Sequence, residues 1–138
     1  PKDYRPLKEA FDNAQRIAKD TRSRIKILNE PSVAVKDADC VITDSIVSMG
    51  FDQERGKRSK IFLPKYQVND ELMSKAKSDA VFMHCLPAKR GEEVTDDVID
   101  GPKSLVWDEA ENRLHTQKAL LCYLLLDENE IFKNFSHL

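Results

Sequence analysis

A chain of 138 residues with 41% apolar content can bury one modest core and has no room for a second full domain. Its 22 basic and 24 acidic residues are interspersed and sum to a formal charge of -2, which argues against a polyanion-binding surface and therefore against nucleic acid as a partner. Cys40, Cys85 and Cys122 are odd in number and lack C-x-x-C spacing, so they suggest neither a disulfide framework nor a zinc ribbon and fit a reducing compartment.

No apolar run approaches the roughly 18 residues of a bilayer span, and "PKDYRPLKEA" lacks the basic-then-apolar layout of a secretory signal, so a soluble protein with no membrane partner is expected. The sequence opens without an initiator Met and enters a helical pattern within a few positions. A piece of a longer polypeptide is therefore the expectation.

From Pro6, the positions Leu7, Ala10, Phe11, Ala14, Ile17 and Ala18 recur at three and four, which predicts an amphipathic packing helix. The β-type run "RIKIL" follows as a predicted strand. "NEPSVAVKDA" places Pro31 near the first turn of a brief helix, and "DCVITD" reads as a second strand. A short helical stretch is expected around "SKIFLPKYQV". Asn69 then caps a helix carrying Leu72, Met73 and Ala76. "AVFM" is a strand, Thr95 is placed to cap a short helix that stops at Gly101, and "SLVW" is a further strand. A long last helix is predicted from about Asp108, followed by the mixed tail "DENEIFKNFSHL".

Compact apolar strands alternating with helices imply an α/β class with a mostly parallel sheet covered on both faces. In such sheets ligands collect beyond the carboxyl ends of the strands. "CVIT" ends at Asp44, opening "DSIVSMG", and "AVFM" ends at His84, opening "HCLPAKR", so both polar clusters fall on that edge. Together a carboxylate and a thiol there can hold a substrate amine, with Asp44 as counter-ion and Cys85 as a second soft acceptor or proton relay.

Plainer readings stand beside these. An Asp after a strand is commonly a turn or cap residue, and a lone Cys is commonly a small buried hydrophobe. Pro87 pushes Leu86 toward extended geometry, and a cis Leu86–Pro87 bond would aim the Leu86 carbonyl into the cleft. A His84–Cys85 nucleophilic dyad is disfavoured because adjacent residues on an extended chain point to opposite faces. A metal site from His84, Cys85 and His115 lacks any established spacing, so neither metal nor cofactor is expected. "ERGKRSK" reads as a solvated loop, with a mobile lid over a polar substrate as the alternative. "EAENR" opens the last helix, where Arg113 either binds an anion in bidentate fashion or pairs with Glu109.

Three of these motifs in this order resemble the ornithine carbamoyltransferase family: "DSIVSMG" its ornithine loop, "FMHCLPAKRGEEV" its Cys-containing loop, and "VWDEAENRLHTQKALL" the start of its closing helix. The resemblance covers nearly the whole chain. It implies that residues 1–138 are part of an ornithine-binding domain, a Rossmann-like three-layer α/β unit incomplete at its N-terminal side. It further implies transfer of a carbamoyl group from carbamoyl phosphate to the δ-amine of L-ornithine, giving L-citrulline and phosphate in arginine biosynthesis. By that resemblance Asp44, Ser48 and Met49 bind ornithine, Cys85 lies beside the reacting amine as proton acceptor, Leu86 offers its carbonyl to the carbamoyl group, and Cys85, Leu86 and Arg113 bind carbamoyl phosphate.

The resemblance also implies a phosphate-loop half and a strand and helix of the ornithine domain that have no counterpart in the chain, so the 138 residues alone are expected to be inactive and to fold marginally or self-associate. The style of "HCLPAKRGEEVTDDVIDGP" is closer to bacterial members and implies a cytoplasmic enzyme, and the complete protein is expected to be a homotrimer. Ile46 and Lys89 stand where many relatives carry Trp and His. Competing readings are a carbamoyltransferase for another amine, such as putrescine or an acylated ornithine, and a non-catalytic amino-acid-binding module. "SMG" after Asp44 favours free ornithine over a diamine, which has no α-carboxylate.

Overall fold

A computed structural model describes residues 1–47 and 50–126. Ser48, Met49 and the tail "DENEIFKNFSHL" lie outside the described residues.

The sheet is built from two strands, β1 (Cys40–Thr43) and β2 (Val81–His84), which pair in parallel with Val41 opposite Phe82 and Thr43 opposite His84. β2 is enclosed on its other side as well, because Phe82 N–H donates to Lys103 O at 2.8 Å and Leu105 N–H to Phe82 O at 2.9 Å. "SLVW" therefore contributes a single bridge at Ser104 rather than the predicted strand. The chain turns helical at Val106, whose side chain is fully buried, and a four-residue run cannot extend a strand and begin a helix at once.

"RIKIL" forms no strand either, and Ile25 and Leu28 are exposed. A strand exists only through its ladder, and among the described residues this run has no strand beside it. β-Branched composition alone does not supply a partner.

Helices α1 (Lys8–Asp20) and α2 (Pro31–Ala34) form where expected, the latter with Pro31 in its first turn, where the missing N–H costs nothing. The apolar stripe of α1 is not the packed face that its period predicts. Of its helical residues only Ala18 is buried, while Ile17, and Leu7 just before the helix, are exposed.

A 3-10 turn at Asp52–Glu54 leads into α3 (Arg55–Phe62), which replaces the expected loop at "ERGKRSK". Its arginines are engaged. Arg55 pairs with Glu92, and Arg58 pairs with Glu54 at 2.7 Å, donates to Ile46 O at 3.2 Å and stacks over Tyr4. These contacts tie α3 to Tyr4, Ile46 and Glu92, although none of its residues is buried.

Helix α4 (Asp70–Met73) is capped as its sequence predicts, with Asn69 Oδ1 accepting the Leu72 N–H at 2.9 Å. Asn69→Ala is expected to cost about 1 kcal/mol, read as a lowered midpoint in urea unfolding. Thr95 sits at the N-cap of α5 (Asp96–Ile99), but its hydroxyl makes no cap bond. Just after α5, a Cβ at Gly101 would meet the Asp97 carbonyl at 2.3 Å, so only glycine permits that close turn.

The core gathers Val35, Val41, Val68, Met73, Phe82, Val94, Val98, Ile99 and Val106. It lies against the sheet and under α4 and α5, with Leu86 and Ala88 packed on its margin. The last helix, α6 (Val106–Leu125), starts two residues earlier than predicted and leaves Leu114, Leu120, Leu121, Leu124 and Leu125 exposed. No helix among the described residues is long and apolar enough to cross a membrane.

Candidate functional site

Parallel pairing in register puts the carboxyl ends of β1 and β2 side by side, so Asp44 and Cys85 emerge from neighbouring strand ends. Ligand atoms of Asp44, His84 and Cys85 lie within 4.8 Å of one another. Ser45 ties the two loops together: its hydroxyl donates to Pro87 O at 3.1 Å, while its N–H donates to Asp44 Oδ1 at 2.6 Å and orients that carboxylate. The resulting cleft, about 370 Å³, is lined by Asp44, Ser45, Val47, Gly50, Asp52, Cys85, Leu86, Pro87 and Lys89.

Local chemistry sets the state of the thiol. Desolvation first, and then the Asp44 carboxylate as hydrogen-bond acceptor and as charge, raise the Cys85 thiol above its ordinary value, with Glu109 adding in the same direction. At neutral pH Cys85 is therefore a protonated thiol and not a nucleophilic thiolate. Removing the Asp44 charge favours the thiolate. Asp44→Asn is expected to shift the pH profile of Cys85 alkylation by iodoacetamide to lower pH, followed by mass spectrometry of the Cys85 peptide. An unmoved profile would show that Asp44 does not act on the thiol.

His84 ends β2 and, by the alternation that also buries Phe82, turns its ring into the interior, where it is fully buried. Its Nδ1 accepts the Leu86 N–H at 2.9 Å, which requires a lone pair on that nitrogen and leaves the proton on Nε2. Nε2 faces Glu93 Oε1 at 3.3 Å. Both nitrogens are thus engaged, so the Asp44–His84–Cys85 cluster offers a metal two free donors and not three. The same geometry leaves the ring no nitrogen for activating Cys85. His115 lies apart from this cluster, exposed on α6 beside Glu111 at 3.5 Å.

The Leu86–Pro87 peptide bond is cis, and Leu86 holds a positive φ of 54°, an uncommon conformation for a leucine. Arg113 lies two turns into α6, exposed and outside the residues that line the cleft. The Glu109–Arg113 pair does not form among the described residues. Glu109 Oε2 instead accepts the His84 N–H at 3.1 Å, placing a half-buried carboxylate of the first turn of α6 against the end of β2.

Sequence reasoning missed Ser45 and Glu93, and named Glu109 only as a partner for Arg113. Glu93, which enters the sequence reading only within the Cys-containing motif, is fully buried. The available signal was its place directly before Val94, which pairs with Val68 in a parallel bridge and carries the segment into the core.

A family model described as aspartate/ornithine carbamoyltransferase, Asp/Orn binding domain, matches residues 1–124. The chain belongs to the aspartate/ornithine carbamoyltransferase family. It is 57% identical over 124 residues to an ornithine carbamoyltransferase of Bifidobacterium longum subsp. infantis, covering 90% of this chain and 38% of the relative. It is 55% identical over 125 residues to one of Pyrococcus horikoshii, covering 91% and 39%. Superposed on the ornithine carbamoyltransferase structure from Pyrococcus furiosus it gives a TM-score of 0.83 at 52% identity, covering 88% of this chain and 39% of the other. The α/β, Rossmann-like fold is that of the family. The chain spans about two fifths of the length of the family members it matches.

Proposed function

We propose that the chain is the ornithine-binding part, residues 1–138, of an ornithine carbamoyltransferase that carbamoylates the δ-amine of L-ornithine in arginine biosynthesis. The observation that carries the reading is the meeting of Asp44, anchored by Ser45, with the Cys85–Leu86 loop in one cleft. Asp44 holds the δ-ammonium, and Ser48 and Met49, outside the described residues, bind the amino-acid end. Leu86 offers its carbonyl to the carbamoyl group, and Arg113 binds carbamoyl phosphate supplied by a further half.

An alkyl ammonium with an ordinary pKa near 10.4 cannot attack until it loses a proton. Burial first, and then the Asp44 carboxylate, raise the Cys85 thiol, and an ammonium beside Asp44 offsets the second of these. The thiolate able to accept the proton is thereby favoured when substrate arrives. The freed amine attacks the carbamoyl carbon, the C–N bond forms, the carbon–oxygen bond to phosphate breaks, and the departing phosphate takes the second proton of the attacking nitrogen. Alignment of the two substrates and cationic stabilisation of the leaving phosphate supply the rest of the acceleration.

The complete protein is read as a cytoplasmic homotrimer with neither nucleic acid nor membrane as partner. The test is citrulline formation by the chain alone and by a chimera in which it replaces the matching residues of the Bifidobacterium longum relative. Putrescine serves as a second acceptor. Turnover of ornithine by the chimera and none by the chain is expected; a chimera that folds, binds carbamoyl phosphate and carbamoylates neither amine would overturn the reading.

A further inference from the structure

The chemistry-bearing face of the cleft is held from behind by a buried polar relay that the proposed reaction does not use. His84 and Glu93 are the two fully buried polar side chains among the described residues. His84 Nδ1 accepts the Leu86 N–H at 2.9 Å, and His84 Nε2 meets Glu93 Oε1 at 3.3 Å. The same Glu93 oxygen accepts the Lys89 N–H at 2.6 Å. One imidazole and one carboxylate oxygen thus tie down two amides of the five-residue span from Cys85 to Lys89, one near each end.

The relay has directionality. An N–H donated into Nδ1 fixes the Nε2–H tautomer, and only that tautomer can donate to Glu93. The Leu86 backbone at a φ of 54° is uncommon for leucine, so its surroundings must specify it. Two contacts do: the Leu86 side chain packs against the core, and its N–H is held by His84.

We propose that His84 and Glu93 are positioning residues that set where the Cys85 thiol and the Leu86 carbonyl stand in the cleft. They touch no substrate. The part of the proposal that concerns turnover rests on the carbamoyltransferase reading; the part that concerns loop geometry does not.

Two arms separate these. In the ¹⁵N-labelled chimera, the ring nitrogens of His84 are expected to show the Nε2–H tautomer, with the Leu86 amide protected from exchange. An Nδ1–H tautomer, or a Leu86 amide exchanging at the rate of an unstructured peptide, overturns the proposal whatever the protein catalyses. In the chimera, His84→Asn keeps an acceptor near the Nδ1 position, whereas His84→Gln keeps a donor near Nε2 and loses that acceptor.

His84→Gln is expected to lower kcat about tenfold further than His84→Asn, while the KM for ornithine stays within about threefold in both. Both variants remove one of the two ring contacts, so a merely structural role would lower the unfolding midpoints without separating the kcat values. That outcome overturns the proposal. If neither the chimera nor its variants carbamoylate ornithine, the functional reading has failed and the tautomer and exchange results decide the positioning role alone.

Discussion

Asp44→Ala in the chimera is expected to raise the KM for ornithine about 10- to 150-fold while leaving that for carbamoyl phosphate within about twofold, the equivalent of one charge-assisted hydrogen bond of about 1.5–3 kcal/mol. The carboxylate is oriented by the Ser45 N–H at 2.6 Å and faces the cleft beside Cys85. Truncating it also removes one of the causes that raise the Cys85 thiol, so a second, opposite effect is expected in the same variant. Cys85 reacts faster with iodoacetamide at fixed pH even as ornithine binds more weakly. Ornithine KM unchanged within threefold would remove Asp44 from the site, and a KM loss without faster alkylation would separate the two roles.

That Asp44 and Cys85 meet was legible in the sequence, because the inference needs only two short apolar runs that end in polar residues. Parallel strands in register must bring those ends to one edge, and Thr43 does stand opposite His84. The helix around Asn69 was legible for a similarly local reason, since its cap bond spans three residues.

What failed was whatever depended on distant partners. "RIKIL" has strand composition but no neighbour among the described residues, and the stripe of α1 has a helical period but little to pack on. "ERGKRSK" was misread because seven mostly charged residues resemble solvated surface. Two of their charges reach outside the run, Arg55 to Glu92 and Arg58 to the Ile46 carbonyl, contacts 37 and 12 residues away.

The deepest miss was Glu93. A buried carboxylate needs hydrogen bonds in place of water, and the partners of its Oε1 are a ring nitrogen and an amide that no periodicity reveals, while its Oε2 has none among the described residues.

Phe82→Ala is expected to be the most destabilising single change, by about 3–5 kcal/mol, because a fully buried ring is lost from the strand on which everything else is hung. β2 is hydrogen-bonded to β1 on one side and to Lys103 and Leu105 on the other, so Phe82 sits where the sheet, the core and the approach to α6 meet. A small domain commonly has only about 5–15 kcal/mol in all, so a loss of this size moves the urea midpoint far and can unfold the chain outright.

Ile42 supplies the contrast. It lies one position beyond Val41, the partner of Phe82, but on the uncovered side of the strand, where it is 67% exposed, and Ile42→Ala is expected to cost about 0.5 kcal/mol or less. If the two variants prove equally stable, the core is not organised on the Phe82 face. If Phe82→Ala alone collapses, then the loop ends that carry Asp44 and Cys85 lose their common support together, and the site and the core are one cooperative unit.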